Sequence, residues 1–145
     1  AIRLAEKNKV TKIARVLAEE TARADRAVRL YVQVNTGVNQ IAGDNWQVML
    51  SLTVTAKLGE DTAFLVEVQQ GGIFALTGFA SAQERQAVLA GYCAGVIFPF
   101  AREAISDLVQ RAGFPQLLLQ PINFDALYAE HQARAQAEAG GDVTH

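Results

Sequence analysis

Residues 46–57 constrain the fold most tightly, because apolar and polar side chains alternate there without a break. One set is Trp46, Val48, Leu50, Leu52, Val54 and Ala56, and the other is Gln47, Met49, Ser51, Thr53, Thr55 and Lys57. Successive side chains of a β-strand point to opposite faces, so this period of two predicts a strand with one apolar face. A sheet built on this strand needs a covering layer on one side only.

Three other runs of the chain have strand character. Residues 28–34 predict a strand that ends at Thr36-Gly37, and residues 63–68 predict another. Gly71-Gly72 is interpreted as a strand break, and residues 73–79 as a fourth strand. Short links between successive strands favour an antiparallel meander. We therefore predict a four-stranded antiparallel sheet, whose uncovered face carries Ser51, Thr53, Thr55, Leu65 and Glu67.

Helical patterns follow the strands and predict an α+β fold with helices packed on one face of the sheet. Ser81 and Glu84 have the spacing of a capping box, which predicts a helix running toward Gly91. Residues 95–100, which include a proline, are interpreted as an interruption. A second helix is predicted over 101–112, with Ile105, Leu108 and Val109 on its buried face.

A glycine and an asparagine mark the remaining boundaries of the second half. Gly113 is expected to end the second helix, and Asn123 is expected to cap a last one. Residues 132–145 contain no large apolar side chain before Val143, so we predict a flexible tail there. Residues 1–27 predict an amphipathic helix, which gives three parts: 1–27, 28–131 and 132–145.

Composition and charge exclude several classes of protein. A length of 145 residues fits one domain, and a formal charge of -2 argues against a general nucleic-acid binder. That charge averages a basic start, with eight basic and four acidic residues in 1–30, over an acidic remainder. We expect no membrane span and no secretory signal. With one Cys, an internal disulfide is impossible, and the cytoplasm is the expected compartment.

No set of residues predicts catalysis or a cofactor. His131 and His145 lack metal ligands at a suitable spacing, and Cys93 has no basic neighbour that would activate its thiol. We therefore expect neither a metal site nor an enzyme. The unusual feature is a set of apolar residues between regular elements, which either wrap the edge of the core or line a binding groove: Phe98, Phe100, Phe114, Leu117, Leu118, Leu119 and Ile122.

Several long motifs together resemble the SecB family of protein-export chaperones. They are residues 53–60 (TVTAKLGE), 63–74 (AFLVEVQQGGIF), 97–103 (IFPFARE), 113–117 (GFPQL) and 121–128 (PINFDALY). The resemblance covers about residues 28–131, in the family's order. Residues 1–27 depart from it, since the family has a strand and a Pro-rich link there.

The resemblance implies both an assembly and a function. The family fold is a four-stranded sheet assembled as a homotetramer, a dimer of dimers. Such a tetramer holds unfolded precursor proteins in the bacterial cytosol and delivers them to the SecA motor. An alternative is a SecB-like chaperone dedicated to a single partner such as an antitoxin, with the basic segment 1–27 as its specificity element.

The resemblance also implies roles for particular residues. SecA docking falls on Leu65 and Glu67, which the strand alternation independently places on the uncovered face. Assembly falls on Val66, Val68 and Gln70, on the opposite face. The client-binding groove is expected to be lined by Phe74, Tyr92, Phe98, Phe100, Phe114, Leu117, Leu119 and Ile122.

Overall fold

Long alternating segments build the sheet on which the molecule is organised. A computed structural model describes residues 28–141. β1 (Val28–Ala42), β2 (Asn45–Leu58) and β3 (Asp61–Ala75) form an antiparallel sheet in the order β1-β2-β3. The central strand confirms the predicted apolar face, because five of its side chains have no exposed surface: Val48, Leu50, Leu52, Val54 and Ala56.

The described sheet has three strands, whereas the alternation predicts four. β3 runs through Gly71-Gly72, which pair with Met49 and Val48 of β2, so the predicted break and the separate strand over 73–79 are wrong. β1 likewise continues through Gly37 to Ala42. A continuous ladder to β2 keeps these glycines extended, and this tertiary pairing overrides their weak intrinsic preference for strands.

The second layer is one long helix. α1 (Ala82–Val88), a single π-helical turn (Leu89–Cys93) and α2 (Ala94–Arg111) follow one another without a break, and we call them together the long helix. The predicted interruption over 95–100 is therefore wrong. Pro99 removes the donor that would bond the Gly95 carbonyl, but both residues are exposed, so water can solvate that carbonyl.

Side-chain caps start the helices where the sequence predicts. The Glu84 amide donates to Ser81 Oγ at 3.1 Å, and the Ala80 amide donates to the Glu84 carboxylate at 3.0 Å. The Ala126 amide donates to Asn123 Oδ1 at 3.0 Å and begins α3 (Phe124–Gly140). This helix continues past His131 with exposed side chains; flexibility of residues 132–145 stays a prediction.

The long helix packs across the apolar face of the sheet and completes the core. It contributes eight fully or almost fully buried apolar side chains, namely Leu89, Cys93, Ala94, Ile97, Phe98, Ala101, Ile105 and Val109. The two layers approach closely at β3, where a Cβ atom on Gly72 would lie 2.8 Å from Cγ2 of Ile97. At the other end of the helix, the Arg85 guanidinium lies 4.6 Å from the ring centre of Trp46. Gly72 therefore allows the helix to lie close against the sheet.

The long helix also has the length and composition of a membrane span, although no such run is expected from the sequence. Of its most apolar stretch of 18 residues, 44% is buried inside the protein. Core helices of soluble proteins meet the same criteria. The face that covers the sheet accounts for part of its apolar character, and the remainder lies on exposed residues such as Val96 and Phe100.

Candidate functional site

The face of the sheet opposite the long helix is uncovered in the part of the chain that the structure describes. Leu65 is 57% exposed and pairs with Thr55, and Glu67 is exposed and pairs with Thr53. The placement of Leu65 and Glu67 on the uncovered face is thus confirmed. We call this surface, formed by the side chains of odd-numbered residues from 29 to 39, 47 to 55 and 65 to 75, the open face.

The three residues expected to act in assembly lie on the other side of β3. Val66 pairs with Val54, Val68 with Leu52 and Gln70 with Leu50. Their β2 partners are fully buried, whereas all three β3 residues are only half-buried. The outer flank of β3 is therefore less well covered than the centre of the sheet, and it holds apolar surface that another element could cover.

The eight residues expected to form a client groove do not share one surface. Phe98, Leu117 and Leu119 are buried in the core, with 4%, 1% and 2% of their surface exposed. Three others, Phe74, Phe114 and Ile122, pack half-buried against it. Tyr92 and Phe100 are exposed on the long helix, at 68% and 59%.

The apolar connection before α3 serves the core for the most part. Leu117 and Leu119 point inward, while Leu118 between them is 60% exposed. The Phe114 ring packs against Phe64 of β3 with ring centres 4.9 Å apart and ring planes tilted by 53°. For this segment, wrapping the edge of the core is therefore the interpretation that fits.

An apolar ridge runs along the outer side of the long helix. Tyr92, Val96, Phe100 and Leu108 recur at multiples of four residues and are all exposed by more than two-fifths. Side chains four apart lie on one inclined row of a helix surface, so they form one continuous strip, which we call the helix ridge. The prediction that Ile105 and Val109 lie on the buried face is confirmed, whereas the same prediction for Leu108 is wrong.

Sequence reasoning misses a cleft between the sheet and α3. It has a volume of about 320 Å³, and its apolar lining includes Val34, Val38 and Leu127. Tyr128 and His131 also line it, and the His131 ring nitrogen Nδ1 lies 2.9 Å from the Leu127 carbonyl oxygen. The signal that could have found it is the alternation of Val34, Thr36 and Val38, which continues past the predicted end of the strand.

A second cleft of about 330 Å³ joins the helix ridge to the start of α3. Gly91, Gly95 and Tyr92 line it on one side, and residues 122–125 line it on the other. A side chain at Gly91 would collide with the Asp125 carboxylate. The glycine therefore permits the close packing of α3 on the π-helical turn.

The described residues offer little for catalysis. Burial raises the pKa of the Cys93 thiol, so the side chain stays protonated and unreactive at neutral pH. Between residues 28 and 141, no group of three or more His, Cys, Asp or Glu side chains is placed to hold a metal ion. The chemically distinctive features of this region are its exposed apolar surfaces.

Comparison with known proteins identifies the family to which this chain belongs. Residues 14–135 match the family described as preprotein translocase subunit SecB. This chain belongs to the SecB family. The family match begins at residue 14, whereas the resemblance seen in the sequence begins at about residue 28.

Relatives in the SecB family are close in sequence. A protein-export protein SecB of Nitrosococcus oceani is 50% identical over 114 residues, which are 79% of this chain and 69% of that protein. One of Marinobacter nauticus is 48% identical over 112 residues, 77% of this chain and 67% of that protein. One of Methylococcus capsulatus is 48% identical over 116 residues, 79% and 74% of the two chains.

A solved structure shares the SecB fold at low sequence identity. It is the SecB-like chaperone Rv1957 of Mycobacterium tuberculosis in complex with a ChAD peptide from the HigA1 antitoxin Rv1956. The TM-score is 0.57 at 16% identity, over 66% of this chain and 73% of that one. This likeness concerns the fold.

Proposed function

We propose that this SecB-family chain is a molecular chaperone that binds unfolded precursor proteins, keeps them competent for translocation and delivers them to the SecA motor. The observation that carries the proposal is membership of the SecB family, with relatives at about 50% identity that are named protein-export proteins. The exposed apolar surfaces fit this role, because an unfolded chain offers apolar side chains to bury. We place the protein in the bacterial cytosol and assign it no enzymatic activity or cofactor.

Client binding would draw on several weak apolar contacts. Burial of apolar surface contributes about 25 cal/mol per Å², and it requires no particular client sequence. Of the groove residues suggested by the resemblance, Tyr92 and Phe100 are the most exposed, and the cleft beside α3 adds Val34, Val38 and Leu127. The buried residues Phe98, Leu117 and Leu119 would contribute by holding the shape of these surfaces. Selectivity should accordingly be broad.

Docking of the SecA motor is assigned to Leu65 and Glu67 on the open face. Leu65 offers an exposed apolar side chain, and Glu67, two residues further along β3, adds a carboxylate on the same face. A short basic and apolar element of a partner would complement this pair. Its separation from the clefts beside the long helix would let motor and client bind together.

A homotetramer, arranged as a dimer of dimers, is the proposed assembly. The helix ridge supports it, because the i, i+4 rows of two helices interlock in the commonest mode of helix packing. Val66, Val68 and Gln70, on the same side of the sheet as the long helix, are only half-buried. This supports a fourth strand of the sheet that lies beside β3 and contacts these three residues. Closed symmetry would then repeat this contact on every copy, with the Leu108 end of the ridge in the contact and the Tyr92 end, beside the second cleft, left for clients.

A chaperone dedicated to one partner is the second candidate. It is favoured by one observation, that the structural relative from Mycobacterium tuberculosis is solved with an antitoxin peptide. In that case the surfaces described above would recognise one defined segment with high affinity. The close relatives named protein-export protein favour the broader role.

Aggregation of diluted, denatured precursors tests the two candidates. Light scattering should fall for several unrelated precursors at stoichiometric amounts of the chaperone and without ATP. Protection of one protein alone would support the dedicated chaperone. Protection of none would contradict both.

A further inference from the structure

The second cleft, between the long helix and the start of α3, contains a single charged side chain. It is lined by Gly91, Tyr92, Gly95 and Val96 of the long helix and by residues 122–125. Asp125 is the only Asp, Glu, Lys, Arg or His among them. The first cleft, beside the sheet, is lined by none of Asp, Glu, Lys and Arg. The two clefts therefore differ in charge, and only the second one carries a carboxylate.

The Asp125 carboxylate packs tightly against the long helix and has no ion-pair partner among residues 28–141. It lies in the space that a side chain at position 91 would fill, so the glycine there lets it approach the helix backbone. The ion pairs between described residues lie further along the helices. One joins Asp107 to Arg111 on α2, and the other joins Glu130 to Arg134 on α3. Within the described region, no basic side chain competes with an outside cation for this carboxylate.

The other walls of the second cleft are aromatic and apolar. Tyr92 is 68% exposed and Val96 is 41% exposed, whereas Ile122 is half-buried. Nothing lies within 4 Å of the position that a Cβ on Gly95 would occupy, so this residue leaves its part of the cleft open. A glycine inside a helix is unfavourable for stability, and packing within the described chain does not explain this one. The cleft thus combines a carboxylate, an aromatic ring and room for a further side chain.

We propose that the second cleft binds an arginine or lysine side chain of an unfolded client, with Asp125 as the residue that selects it. Such a side chain can lay its apolar stem on Val96 and Ile122 while its charged head meets the carboxylate and the Tyr92 ring. A volume of about 330 Å³ suits one long side chain. Arginine should be preferred, because its planar fork pairs with a carboxylate and stacks on an aromatic ring. This inference rests on the proposed chaperone function.

Two peptides that differ at one position provide the first test. Both are fluorophore-labelled and nine residues long, with leucine, valine and serine around a central residue that is arginine in one and citrulline in the other. Citrulline keeps the shape of arginine and lacks its charge. The intact protein should bind the citrulline peptide about fivefold more weakly, as expected for a partly exposed ion pair together with a cation–π contact. Fluorescence anisotropy measures both dissociation constants, and added salt should reduce their ratio.

A variant of the carboxylate tests whether Asp125 is the group that reads the charge. Asp125→Asn removes the charge and keeps the size of the side chain, so its packing against Gly91 is retained. This variant should bind the arginine and citrulline peptides with equal affinity. Glu138→Gln, at an exposed position of the same helix, is the matched control and should keep the fivefold difference. Because two peptides are compared on one protein, a loss of folding cannot imitate the result.

The outcomes separate this inference from the proposed function. If the wild-type protein binds neither peptide and also fails to bind reduced, carboxymethylated lactalbumin, a permanently unfolded polypeptide, the chaperone function itself fails. If it binds the unfolded lactalbumin but does not distinguish arginine from citrulline, the second cleft does not select a basic side chain and the chaperone function stands. A fivefold difference that persists in Asp125→Asn would place the recognition of charge elsewhere and would also overturn the proposal.

Discussion

Single residues decide how closely the layers of this protein approach. Gly91 and Gly95 lie one turn apart on the long helix, yet their surroundings differ. A side chain at Gly91 would overlap the Asp125 carboxylate, whereas nothing lies within 4 Å of the position that a Cβ on Gly95 would occupy. The same small residue is thus required for packing at one position and unnecessary for it at the other.

Alanine substitution should separate these two glycines. Gly91→Ala should lower the free energy of unfolding by about 1–3 kcal/mol, because α3 must shift away from the π-helical turn. Gly95→Ala should raise it by about 0.5–1 kcal/mol, through the higher helix propensity of alanine. Urea denaturation followed by circular dichroism measures both. Equal effects would contradict the contact described for Asp125.

Glu67 is the residue on which the assignment of motor docking depends. Glu67→Lys should weaken SecA binding about tenfold, since it reverses the charge at an exposed contact and leaves the core untouched. Binding of a permanently unfolded polypeptide should not change. Glu138→Lys, at an exposed position of α3, is the charge-matched control. Calorimetric titration that shows the same loss for both variants would refute a specific role for Glu67.

Elements were predictable where local signals agree with tertiary structure. The central strand follows from its own alternation, and the helix starts at Ser81 and Asn123 follow from side-chain caps that form within one turn. Gly71-Gly72 suggest a strand break, but pairing with β2 keeps them in the strand. Pro99 suggests a helix break, but the Gly95 carbonyl that loses its donor is exposed to water and the helix continues. The helix ridge and the cleft beside α3 depend on which faces the layers leave uncovered. Only their residue types are visible in the sequence.

The cap at Ser81 gives a test at the level of an element. Ser81→Ala removes the acceptor for the Glu84 amide and should lower the free energy of unfolding by about 1 kcal/mol. Ser81→Asp keeps an acceptor at that position and should retain most of the stability. Thermal denaturation of the three proteins checks the order. A Ser81→Ala variant as stable as the wild type would show that the cap contributes nothing.

At the scale of the whole molecule, residues 28–141 leave apolar surface uncovered on the helix ridge and beside β3. The helix ridge and the outer flank of β3 lie on different elements, and the proposed assembly draws on both. A Phe100→Asp, Leu108→Asp variant should dissociate the proposed tetramer, because it places carboxylates in an apolar contact. Native mass spectrometry should then show the mass of smaller species, with each chain near 15.6 kDa. An unchanged tetramer with weakened client binding would assign the ridge to clients.

Binding of unfolded chains by the intact protein tests the central claim most directly. Fluorescence anisotropy would compare several unrelated polypeptides, each in a native and in a permanently unfolded form, in the absence of ATP. The account predicts that every unfolded form binds and that the native forms do not, since only the unfolded chains expose extended apolar segments. Binding of native forms with the same affinity, or no binding of any unfolded form, would contradict it.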